Sequence, residues 1–105
     1  MVEVTWTSRA RKDLDAISAY IAESSPYYAE QTEWRILERS LILEQQPLIG
    51  HVVAEVGDPS IREIHQGRYR IIYWVIDPVH LTIIAVVHGK RRITRASLRP
   101  GLRKK

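Results

Sequence analysis

The sequence predicts an α+β fold, with an N-terminal helical hairpin packed on one face of a small antiparallel sheet. Two patterns carry that expectation. Apolar residues recur at helical spacing through the first half of the chain, and three strand-like runs separated by short turns fill the second. Charge supplies a third observation. Up to Ser60 five Lys/Arg face ten Asp/Glu, a net of −5, whereas from Ile61 onward eleven face two, a net of +9. The overall +4 of this 105-residue chain is therefore the average of an acidic helical front and a strongly basic back. That polarity points to an anionic partner at the back half.

Each element has its own signal. Val2, Val4 and Trp6 alternate with Glu3 and Thr5, the period of a short strand. Thr7 or Ser8 can cap a helix in which Ala10, Leu14, Ile17 and Ile21 share one face. Ser25 is placed to cap a second helix, with Pro26 at its first position, where a missing N–H costs nothing. This helix is expected to run to about Gln45, with Ala29, Trp34, Ile36, Leu37 and Leu41 on its buried side. So short a connection predicts two antiparallel helices. Pro47 to Gly50 reads as a turn, and 51–60 is weakly patterned around Gly57-Asp58-Pro59. Strands are then expected at Ile61–His65, Arg68–Ile76 and Leu81–His88, joined at Gln66-Gly67 and Asp77-Pro78 into an antiparallel meander. The order is strand, helix, helix and three or four strands. Trp6, Leu14, Ile17, Ile21, Leu37 and Leu41 should form the shared core.

Several function classes are excluded. Without cysteine there is no disulfide framework, thiolate metal site or Cys nucleophile. His51, His65 and His80 lack metal-ligand spacing, so no metal and no cofactor is expected. Gly-rich phosphate loops, His-Glu-x-x-His and Gly-x-Ser-x-Gly do not occur. The opening Met-Val-Glu-Val-Thr-Trp has neither the basic nor the apolar region of a signal peptide. No run approaches the roughly 20 apolar residues that span a bilayer. A cytoplasmic protein with no membrane partner is expected.

Six segments, in order, resemble the RelE/ParE superfamily of type II toxin–antitoxin toxins. They are Trp6-Thr7-x-x-Ala10-x-x-Asp13-Leu14-x-x-Ile17-x-x-Tyr20-Ile21, Ser25-Pro26-x-x-Ala29, Pro47-x-x-Gly50, Ile61-Arg62-Glu63-Ile64, Gly67-x-Tyr69-Arg70-Ile71-Ile72-Tyr73 and Val87-His88-Gly89-x-Arg91-Arg92. The resemblance covers residues 2–93 and implies a toxin domain at 1–93 followed by a basic tail at 94–105. It also implies a cognate antitoxin, a hetero-oligomeric complex with it, and one of two targets. ParE-like toxins poison DNA gyrase without cleavage chemistry of their own. RelE-like toxins cut mRNA on the ribosome. The long helical hairpin and the His88-Gly89-x-Arg91-Arg92 ending are closer to ParE. RelE-like nucleases generally carry a Tyr, or a His–Tyr pair, just after the last strand, and residues 93–105 contain neither.

The side chains can be weighed against both targets. RNA cleavage needs a base at the 2′-oxygen, cations around the phosphorane and a proton for the leaving 5′-oxygen. Arg62, Arg70 and Arg91 are the candidates for that chemistry. A gyrase-binding surface would draw on Arg70, His88, Lys90, Arg91, Arg92 and Arg95. Alternation puts Arg70 on one strand face with Arg68, Ile72 and Trp74, and Tyr69 on the other with Ile71, Tyr73 and Val75. Arg70 is equally suited to pairing with Glu63 inside the sheet. From Lys90 onward eight cations occur with no acid, so a target-binding tail and a solvated one both remain open. A non-toxic member that only binds antitoxin is the third reading.

Overall fold

The computed structural model describes residues 1–98. The remaining basic tail, 99–105, lies outside the described residues. The alternation at the N-terminus becomes strand β1, Glu3–Trp6. Thr7 then caps helix α1, Ser8–Ala22, its hydroxyl accepting the Ala10 N–H at 3.0 Å. Ser25 does the same for helix α2, Pro26–Ser40, accepting the Tyr28 N–H at 3.2 Å. Beyond Ser40 the chain tightens into a 3-10 helix, Leu41–Glu44. A two-residue strand β2, His51–Val52, precedes β3, Ile61–Gln66, β4, Tyr69–Asp77, and β5, His80–His88. A short helix α3, Arg95–Leu98, follows.

The five strands lie in the order β1-β5-β4-β3-β2. β2, β3, β4 and β5 are antiparallel, as the short turns require, with Gly67 supplying the positive φ of 58° at the β3–β4 turn. The sheet is nevertheless mixed, because β1 joins β5 in parallel, Glu3 opposite His80 and Trp6 opposite Ile83. Strand alternation carries no information about direction, so the sequence could not distinguish this pairing from an antiparallel one. Where β1 ends, α1 takes over its role. The Val86 N–H donates to Asp13 Oδ2 at 3.0 Å, satisfying a donor on the edge that β1 leaves open.

Both faces of the sheet are covered. On one, the hairpin packs Ala10, Leu14 and Ile36 over Ile64, Ile71, Tyr73, Leu81, Ile83 and Val86, with Trp6, Ile17 and Leu37 half-buried at its margin. On the other, Ile61, Ile72, Ile84, Ala85 and Val87 are roofed by Val53, Ile93 and Leu98. This second cluster explains why Leu81 to Val87, apart from Thr82, is apolar without alternation: the strand is buried on both sides. The Tyr73 hydroxyl, deep in the first cluster, accepts the Gly50 N–H at 3.0 Å. A Cβ on Gly50 would come within 2.5 Å of the Glu63 carbonyl oxygen, so only glycine fits that approach.

Two expectations are corrected. Leu41 is 58% exposed and Trp34 61% exposed, whereas Leu43 is fully buried. The helix gives way to 3-10 winding at Leu41, and the tighter turn brings Leu43 inward in its place. Residues 94–98, the start of the expected basic tail, return to the second face, where Leu98 is fully buried. Ile21 lies at an intermediate depth outside both clusters.

Candidate functional site

The most concentrated polar structure is built around Arg70. Strand pairing sets His65 opposite Arg70 and Glu63 opposite Ile72, so Glu63 is Arg70's diagonal neighbour on one face. Arg70 Nε donates to Glu63 Oε1 at 2.6 Å and an Nη2 proton to Glu63 Oε2 at 2.9 Å. The irregular segment after β2 brings in a second carboxylate, Glu55, which accepts from Nη1 and Nη2 at 2.9 and 3.0 Å. The fifth N–H points to the Arg91 carbonyl at 3.5 Å. Every donor of this 7% exposed side chain thus has an acceptor.

The electrostatics follow from the geometry. Hydrogen bonds from Arg70 hold the Glu55 carboxyl down to about 2, helped by the Glu55 and Ile93 backbone N–H groups. Burial pushes the Glu63 carboxyl up, but the hydrogen bonds and charges of Arg70 and His65 outweigh it and leave it low. Hydrogen bonds to Glu63 and then Glu55 raise Arg70 in turn. His65 Nε2 lies 2.9 Å from Glu63 Oε1 at the mouth of this network. An open groove of about 710 Å³ runs past it, lined among others by His51, His65, Arg68, His88 and Lys90.

These contacts separate the candidate residues. Arg62 alternates onto the face of Ile64, opposite Arg70, and donates to the carbonyls of Pro59 and Gly50, each at 3.0 Å. Arg62, Arg70 and Arg91 therefore do not converge on one cleft, and Arg70 has no donor left for a target. Arg70, expected at either site, is thus fully engaged within the protein. His88 accepts the Lys90 N–H at Nδ1 at 3.2 Å and meets Tyr69 edge-on, ring centroids 5.9 Å apart. Lys90, Arg91 and Arg92 are exposed, and Arg95 sits 3.6 Å from Asp58 while remaining largely in solvent. No group of His, Asp or Glu among the described residues could hold a metal ion. No described helix is long and apolar enough to cross a membrane.

Glu55 was missed by sequence reasoning. Its only signal was an acid inside Val52-Val53-Ala54-Glu55-Val56, a run otherwise apolar. Leu98 was missed because one apolar residue among cations has no period.

Comparisons with known proteins agree with this architecture. No curated protein matches the sequence. Nine solved chains do, one of them described as the chromosomal ParDE TA system from P. aeruginosa. The likeness to that chain has a TM-score of 0.69 at 22% identity and covers 86% of this chain and 98% of that one. At such identity it speaks for the fold. The family model described as the ParE toxin of the type II toxin–antitoxin system, parDE, matches residues 4–93, a span containing α1, α2 and nearly the whole sheet. With most of its length inside that match, the chain belongs to the ParE toxin family of type II toxin–antitoxin systems.

Proposed function

We propose that this toxin acts in the cytoplasm by inhibiting DNA gyrase through a non-enzymatic binding surface. Lys90, Arg91 and Arg92, with His88 and Arg95 flanking, form that surface. The observation that carries the reading is the division of labour among the cations. Arg62 and Arg70 are committed to carbonyl and carboxylate partners on opposite faces, while the cations of 90–92 are exposed together. Such an arrangement provides electrostatic complementarity without gathering Arg62, Arg70 and Arg91 around one reacting group. A cognate antitoxin, with which it forms a hetero-oligomer, neutralises the toxin. Kinship with a chain from a ParDE system supports that partner. The division into a toxin domain and a basic tail is proposed to follow function rather than packing, with residues 94–98 serving both.

Supercoiling and DNA-cleavage assays with purified gyrase test the proposal. Inhibition that disappears on Arg91→Ala/Arg92→Ala, in protein that still folds, is the expected result. Cleavage of mRNA on ribosomes with gyrase untouched would establish the nuclease alternative.

A further inference from the structure

The segment after β5 combines exposed side chains with a fixed backbone. Gly89 N–H donates to the Arg68 carbonyl at 2.7 Å, and Arg91 N–H to the His88 carbonyl at 2.9 Å. The Arg91 carbonyl faces Arg70 Nη1 at 3.5 Å. Ile93 and Leu98 then plug the second core. Arg9 donates to the Ser97 carbonyl and so anchors the far end to α1. Between these anchors, Lys90, Arg91 and Arg92 project into solvent.

Glu63 alone would satisfy the ordinary need of a buried guanidinium, since it already accepts two hydrogen bonds from Arg70. Glu55 is different. It is the outer jaw of the clasp, 34% exposed, it comes from an irregular segment, and the Arg70 Nη1 it accepts from also faces the Arg91 carbonyl. We propose that Glu55 is a positioning residue. Through Arg70, whose Nη1 it shares with the Arg91 carbonyl, it holds 91–93 against the sheet and presents Lys90, Arg91 and Arg92 as a preordered cationic surface. The inference rests on the reading of that surface as the one that contacts the toxin's target. Preordering matters because a flexible basic segment would lose conformational freedom on binding, whereas a fixed one has already done so.

Glu55→Gln in the full chain tests this, because it removes the charge and leaves the Arg70–Glu63 pair. Amide exchange at 91–97 should accelerate about tenfold or more, the loss expected for charge-assisted hydrogen bonds, while β4 and β5 amides stay protected. Induced at equal cellular level, the variant should need about tenfold more protein to arrest growth. Arg70→Lys is the second variant, should the first fold poorly. It keeps a cation for Glu63 but cannot fork between two carboxylates, so it should loosen the same amides. Unchanged exchange at 91–97 would overturn the clasp. Loosened amides with undiminished growth arrest would overturn the positioning role. Wild-type protein that arrests growth but spares gyrase refutes the gyrase reading alone and leaves the comparison of variants intact.

Discussion

Arg70 shows how far one residue could be read in advance. Its pairing with Glu63 was legible because a two-strand register puts them diagonally adjacent on one face. Its second partner was not, since Glu55 is placed by tertiary packing of a segment with no period. The consequence is a measurable asymmetry. Arg70→Ala leaves buried Glu63 without its cation and should cost about 3–5 kcal/mol by chemical denaturation. The same network sets the acid response. The Glu55 carboxyl is lowered from an ordinary 4.5 to about 2. A lowered carboxyl contributes stability that is complete above its unfolded value and is lost as pH falls through the folded one. Stability should therefore decline between pH 4.5 and about 2, with Glu63 and Asp58 adding in the same direction. Glu55→Gln should flatten the decline, and unfolding midpoints measured across that range would show it.

Element by element, type was legible and winding was not. Helical periodicity identified α2, yet it could not reveal that the last turn tightens at Leu41. Leucines two residues apart at 41 and 43 therefore exchanged roles. Leu43→Ala should cost about 2–5 kcal/mol, the range for emptying a packed site, and Leu41→Ala less than about 0.5. Equal losses would mean that the α-helix continues. The turn before β2 poses a similar case. Pro47 to Gly50 was readable as a turn, but not the reason for its last residue. Gly50→Ala forces a Cβ against the Glu63 carbonyl and the Tyr73 hydroxyl, at 2.5 and 2.6 Å. A strand backbone cannot yield cheaply there, so a loss of about 1–3 kcal/mol is expected in thermal or chemical unfolding.

For the molecule as a whole, charge and apolar pattern each conveyed half of the design. The acidic front and basic back were visible from counting, and the hairpin over the sheet followed from periodicity. The second core escaped because its roof consists of isolated residues, Val53, Ile93 and Leu98, each too far from its neighbours to form a pattern. Ending the chain at Ile93 should therefore do more than remove cations. With Leu98 gone, the second face opens, and stability should fall by about 2–4 kcal/mol. A truncated protein with an unchanged denaturation midpoint would show that α3 is only attached, not structural. This also limits how tail deletions can be interpreted: lost activity there reports folding as well as contact.

The parallel pairing of β1 with β5 has a temporal meaning. Glu3 finds its partner only at His80, so β1 stays unpaired until β5 has been made. Non-local closure of this kind slows folding, because loop entropy is lost before contacts compensate for it. The cations at 90–92 are translated a few residues later still. The sheet therefore cannot close, nor the segment at 90–92 take its place beside it, until β5 has been made.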